Sequence, residues 1–238
     1  MQNQPLLDRQ IALLSYLTDP RQYDQKPEAE GIFGIDPYRL RLEGRFSLEK
    51  RTGKLMGVFR RSFEAMRNTP GADLKSFAAA HPPHSITRYD NAAQFFEFVS
   101  DLWQKTPPEI PHLPDLAALE LALSKVMLSD LTAEDAPQLD TAPGTHFRLL
   151  PGTEFLICEH DIRPLLAGPQ VEMAPEKRPV YLLLAPSLEG AMPRVLELKQ
   201  AAFEYLKSLQ GWTSVADAEP VAALVSALIK NYVMETNQ

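Results

Sequence analysis

The chain has 238 residues, 45% of them hydrophobic, which is enough apolar material for two domains of roughly 100 to 150 residues with a core each and excludes disorder as the default. A formal net charge of -7 excludes a protein that coats nucleic acid through overall positive charge. The single cysteine, Cys158, excludes an internal disulfide and fits a reducing compartment. The first residues lack a basic segment with a continuous apolar run behind it, and no run approaches the roughly 20 apolar residues of a membrane span, so the expectation is a cytoplasmic protein.

Leu7, Ile11, Leu14 and Leu17 recur about one helical turn apart and predict an amphipathic helix that stops at Asp19-Pro20. Residues 20–36, with Pro20, Pro27, Gly31 and Gly34, predict a long loop. From Tyr38 to Arg67 the positions Leu42, Phe46, Leu55, Phe59, Phe63 and Met66 keep helical spacing, which predicts two helices or one bent helix with the break near Thr52-Gly53. Leu74 and Phe77 mark a short helix ended by His81-Pro82-Pro83. Asp90 is the predicted cap of a helix carrying Ala92, Phe95, Phe96, Val99, Leu102 and Trp103 on one stripe. Pro114 suits the first turn of a further helix with Leu116, Leu119, Leu123, Val126 and Met127 on its core face.

Residues 132–144 hold three acids, no base and two prolines, and they predict a linker between an all-helical domain, 1–131, and a second domain, 145–238. Behind the linker the period shortens. His146 to Leu150, Thr153 to Glu159, Val180 to Ala185 and Arg194 to Leu198 predict short strands, and Ala201 to Leu209 and Val221 to Tyr232 predict helices, with a small helix over Thr213 to Ala218 between them. Strands followed by three helices predict a winged-helix-like module, so the expected fold class is α+β.

The residue types that carry catalysis are scattered. His81 and His84 are separated by two prolines and cannot share a helix face as metal ligands, His112 lies in a loop, and His146 and His160 fall in or beside strands. Cys158 sits inside an apolar strand, where a cysteine is ordinarily a small buried hydrophobe. Glycine-rich phosphate loops and serine elbows are missing, so the expectation is a chain with no catalytic residues, no metal ligands and no cofactor. One charge feature stands out: Arg39, Arg41, Arg45, Lys50, Arg51, Lys54, Arg60 and Arg61 face only Glu43 and Glu49. It reads either as an anion-facing surface or as a solvated helix face.

Phe77-Ala-Ala-Ala-His81-Pro82-Pro83-His84-Ser85, then Phe95 to Val99, then His112-Leu113-Pro114-Asp115-Leu116, with Tyr38-Arg39 upstream, resembles the N-terminal domain of the HvfC/MbnC/TglI-type proteins. Val195-Leu196-Glu197-Leu198, the helix Phe203 to Leu209 and Gly211-Trp212-Thr213 are similar to the peptide-recognition elements of the same pathways. The nearest resemblance is to the partner subunit of thiaglutamate-type pathways, although the Phe-Pro expected after the Tyr38 helix is missing. The resemblance implies a non-catalytic subunit that forms a heterodimer with a TIM-barrel, multinuclear non-heme iron oxidase. It also implies binding of a ribosomally made precursor peptide, whose leader lies along a sheet as an added strand and whose cysteine is modified.

That peptide site is expected on Arg194, Val195, Leu196, Glu197 and Leu198 and on the facing side of the last helix, Leu224, Leu228 and Tyr232, with the domain core as the plain alternative for Leu224 and Leu228. The competing reading is a DNA-binding transcriptional regulator. Charge disfavours it, because residues 145–238 hold eight bases against eleven acids and Ser214 to Asn231 offers only Lys230 as a base.

Overall fold

The computed structural model describes residues 6–19, 36–66, 70–129, 146–167, 174–187, 192–214, 222–230 and 233–237. The loop expected over 20–36 lies outside them apart from Asp36, and the linker expected over 132–144 lies outside them entirely. The chain divides into two compact units, Met1–Ala117 and Ala118–Gln238. The architecture is α+β, with helices and two three-stranded antiparallel sheets. Among the described residues no helix is long and apolar enough to cross a membrane.

Unit 1 is helical: α1 (Leu6–Thr18), α2 (Pro37–Val58), α3 (Arg60–Met66), α4 (Pro70–Ala80), α5 (Arg88–Lys105) and the first turn of α6 (Leu113–Val126). α1 and α2 meet through Tyr16 and Leu40, with Leu13, Leu17 and Leu48 packed beside them. Asp36 caps α2 by accepting the Tyr38 N–H at 3.0 Å, with Pro37 in the first turn. The break expected near Thr52-Gly53 does not occur. A Cβ on Gly53 would meet nothing within 4 Å, so the glycine costs about 1 kcal/mol of propensity and no packing, and α2 runs unbroken through it with buried Arg51 and Leu55 on either side. The chain turns instead at Phe59, which leaves the helical region (φ -96°, ψ 41°) and is fully buried among aromatic rings.

Those rings form the core of unit 1. Phe59, Phe63 and Phe77 surround Phe95 at centroid distances of 5.6, 5.8 and 5.2 Å, and His81 stacks on Phe77 and meets the edge of Phe98. The cap of α5 also differs from expectation. Thr87, with extended dihedrals, is the N-cap, and its hydroxyl accepts the Asp90 N–H at 3.1 Å, so Asp90 occupies the third helical position. Hydrogen bonds from Ser85 and then Thr87 hold the Asp90 carboxyl below its ordinary range.

Unit 2 is built on a sheet buried on both faces. β2 (Glu154–His160), β3 (Lys177–Ala185) and β4 (Arg194–Leu198) pair antiparallel in the order β2-β3-β4. One face carries Cys158, Val180, Leu182 and Leu184, sealed by Leu119 and Val126 of α6 with Ile162, Leu165 and Leu166. The other carries Leu183, Ala185 and Leu198 and packs on Phe203 and Leu206 of α7 (Gln200–Ser208) and on Val225, Leu228 and Ile229 of α8 (Ala222–Lys230). The unbroken run Leu182-Leu183-Leu184-Ala185, fully buried, is what two covered faces require of a strand.

β1 (His146–Leu149) lies between β5 (Thr213–Ser214) and β6 (Met234–Asn237) in a second small sheet, and its Phe147 joins the same core as Val233 and Met234. One expectation fails here. Thr213 and Ser214, expected to open a small helix, are a strand paired with Phe147 and His146, while 215–218 lie outside the described residues. The expected last helix is α8 over its described residues, and behind it stands a strand that the sequence does not suggest, β6, whose partner lies 87 residues upstream at the Arg148–Glu235 ion pair. β1 and β2 are joined through Gly152, which holds φ +79°; a Cβ there would fall 1.7 Å from the Ser129 hydroxyl oxygen, so both conformation and space require glycine.

Candidate functional site

β4 is an edge. It pairs with β3 on one side, in an unshifted register from Tyr181↔Leu198 to Ala185↔Arg194, and among the described residues no strand lies on its other side. β2 is the opposite edge, but its pairing is interrupted by an irregularity between Cys158 and His160, a common way of blunting an edge. β4 is thus the uninterrupted edge, with its outward N–H and C=O groups in a row.

The residues singled out in the sequence divide into two groups. Arg194, Val195 and Leu196 are half-buried on β4, Glu197 is exposed, and Leu198 is buried in the core. Val195 packs towards the α6 side of the sheet and Leu196 towards α7 and α8, so the strand offers both faces. Leu228 is buried in the core and Leu224 is packed against it, so these two fill the unit rather than line a groove. Tyr232 lies outside the described residues.

Missed by sequence reasoning is an ion-pair cluster that fixes Glu197. Arg178 of β3 contacts Glu197 at 2.5 Å and Asp161 at 2.5 Å, and Arg163 of the 3-10 helix Arg163–Ala167 contacts Asp161 at 2.6 Å and Glu197 at 2.6 Å. Two guanidiniums and two carboxylates thereby tie the segment after β2 across β3 to the edge strand. The hydrogen bond from Arg163, helped by the charges of both arginines, pushes the Asp161 carboxyl down to about 2 against the cost of burial; the hydrogen bond from Arg178 chiefly lowers Glu197, and the two carboxylates in turn raise Arg163 and Arg178. In sequence only Asp161 and Arg163 are close enough to suggest a pair.

A carboxyl depressed in the folded state contributes stability above its unfolded value of 3.8, and that stability is lost as pH falls towards 2. Unit 2 is therefore expected to lose about 2 kcal/mol of unfolding free energy between pH 4 and pH 2 through Asp161. Denaturant titrations of wild type and Asp161→Asn across that window check this. The variant, already without the charge, should show a flatter dependence; parallel curves would mean that the cluster does not hold in solution.

The basic stretch does not form one surface. Arg51 is buried, and its guanidinium donates to the His81 carbonyl at 2.6 Å, to Gln94 at 2.9 Å and to Asn91 at 3.2 Å, 4.3 Å from the Phe77 ring centroid. Lys54 donates to the Ile86 carbonyl and Arg60 pairs with Glu64, which leaves Arg39, Arg45 and Lys50 as its exposed members on α2. Unit 1 also has a cleft of 570 Å³ lined by Met66, Leu102, Trp103, Glu109, Ile110 and Leu113, and one of 690 Å³ lined by His81, Asp90, Gln94, Glu97, Phe98 and Leu102. Among the described residues no three His, Cys, Asp or Glu side chains are grouped so as to hold a metal ion. No family model and no curated protein matches the chain.

Proposed function

We propose that the chain is the non-catalytic partner subunit of a multinuclear non-heme iron oxidase and that it holds the leader of a precursor peptide as a strand added to the outer edge of β4. The observation that carries the reading is the edge of β4, unshifted in register and with no second strand neighbour among the described residues, formed by the Val195-Leu196-Glu197-Leu198 segment that resembles peptide-recognition elements. Main-chain hydrogen bonds would supply affinity, and the half-buried Val195 and Leu196, on opposite faces, would supply side-chain preference. α7, β5, α8 and β6 follow in the order helix, short strand, helix, strand, which supports the winged-helix-like reading of this module. As such a subunit the chain works in the cytoplasm, bound to its oxidase, and its own residues do no redox chemistry.

Two measurements test this. The chain and an iron-dependent barrel oxidase expressed from the same operon should co-purify and stay together in gel filtration at micromolar concentration, as stable hetero-complexes burying on the order of 2,000 Å² do; separate elution sinks the partner reading. For the peptide, proline is placed at Val195 and, separately, at Leu196. In an antiparallel pair adjacent residues direct their N–H groups to opposite sides, so one variant disrupts the β3–β4 ladder and the other removes an outward donor. The variant that keeps the wild-type circular dichroism should bind the operon's precursor peptide about tenfold to a hundredfold more weakly. Unchanged affinity in that variant removes the peptide from this edge.

A further inference from the structure

α2 directs Leu40, Gly44, Leu48, Arg51 and Leu55 inward, which at 100° per residue occupy one side of the helix. The opposite side carries Tyr38, Leu42 and Phe46 at i, i+4 and i+8, exposed at 71%, 38% and 45%, with Met56 exposed farther along the same side. A solvated helix face is expected to be polar, and single exposed apolar residues are ordinary, but three large ones in register form a stripe. Its borders are mainly cationic: half-buried Arg41 and exposed Arg45 run along one side and exposed Arg39 and Lys50, with Glu43 beside them, along the other, while Glu49 lies on the stripe between Phe46 and Met56, in a chain whose net charge is -7.

We propose that this face of α2 docks an amphipathic helix of a partner protein whose own apolar stripe is bordered by aspartates and glutamates. Tyr38, Leu42 and Phe46 supply the anchors of a helix-on-helix contact, and the bordering cations select acidic flanks. A second copy of this chain fits poorly, because in either orientation its cationic borders meet cationic borders, which costs rather than stabilises. Nucleic acid fits poorly too, since the centre of the face is apolar and the cations stand apart on its two sides. The inference rests on the reading of the chain as a partner subunit and names the surface that takes the partner.

The test uses two synthetic helical peptides of about 20 residues, long enough to hold helix in water, identical in a leucine stripe and differing in Glu or Lys along its borders. Each is titrated by fluorescence anisotropy against the full chain. The Glu-bordered peptide should bind saturably and its Lys-bordered twin at least tenfold more weakly. Leu42→Glu with Phe46→Glu should weaken the Glu peptide at least tenfold, with circular dichroism unchanged because both positions are exposed. Arg39→Glu with Arg45→Glu, which leaves the stripe intact, should reverse the preference between the twins. Equal binding of the twins, indifference to the Leu42 and Phe46 substitutions, or self-association of the wild type that those substitutions abolish would each overturn the proposal. The assay contains no oxidase, so its failure leaves co-purification with the iron enzyme standing, and loss of co-purification leaves the peptide result standing.

Discussion

Replacing Arg51 with alanine is expected to destabilise the helical unit by about 3 to 5 kcal/mol, far more than a surface arginine would. The guanidinium is buried, and it donates to neutral acceptors: the His81 carbonyl, Asn91 and Gln94, with Phe77 beneath it. Burial draws its pKa down to about 10, still far above neutrality, so the group remains a cation whose desolvation is offset by those acceptors and the ring. Asn91 is held in turn, donating to the carbonyls of Ser85 and Thr87 at 2.8 and 2.7 Å, and Gln94 donates to the Pro82 carbonyl at 3.2 Å. One side chain of α2 thereby fixes the turn after α4 and the start of α5. Alanine removes the cation, leaves three acceptors short of a donor and opens a cavity against Phe77. Methionine fills the volume and should cost about half as much; lysine, a point donor, cannot span three acceptors and should also lose about 2 kcal/mol. Urea unfolding followed by helical circular dichroism measures the series. A loss under about 1 kcal/mol for alanine would mean that the network is not formed in solution.

Arg51 also illustrates what a single sequence conceals. It stands among eight basic residues that read as one charged stretch, yet it belongs to the core, and nothing local distinguishes it from its neighbours Lys50 and Lys54. Burial of a cation depends on acceptors thirty to forty-three residues away. The helical stripes were legible because periodicity is local, and so were the stop before His81-Pro82 and the continuous apolar run of β3. The helix break was misplaced because glycine propensity is a weak term, and tertiary packing at Phe59 outweighed it. The cap of α5 was misplaced by three residues because Thr87-Arg88-Tyr89-Asp90 can be entered from either polar end, and only backbone geometry decides.

Partners were less legible than elements. α6 shows its apolar face plainly, but an amphipathic stripe does not name what covers it; Leu119, Leu123 and Val126 were expected to serve the helical domain and instead seal the sheet of unit 2. β6 is four residues long, with only Met234 to suggest a core contact, and its pairing with β1 closes a loop of nearly the whole unit. At the candidate site the edge strand was visible as Arg194 to Leu198. The ion-pair cluster that fixes Glu197 was not, since it joins four residues from three separate segments.

The two-sided burial of β3 gives the second large expected effect. Adjacent residues of a strand point to opposite faces, so in a sheet with one solvated face only one of Leu182 and Leu183 would be core. Here Leu182 belongs with Val126 and Cys158 on the α6 side and Leu183 with Phe203 and Leu228 on the α7–α8 side, both fully buried. Leu182→Ala and Leu183→Ala are therefore each expected to lower the stability of unit 2 by about 3 kcal/mol, the ordinary cost of lost transfer energy plus an unfilled cavity. Ile157→Ala, on the edge strand β2 and 53% exposed, is the control and should change stability by about 0.5 kcal/mol or less. Unfolding midpoints of the three variants decide the matter. A near-neutral Leu182→Ala beside a damaging Leu183→Ala would show that α6 does not cover the sheet, and would return that helix to unit 1. Equal large losses would fix α6 as a structural layer of unit 2, covering the face of the sheet on which Val195 of the edge strand lies.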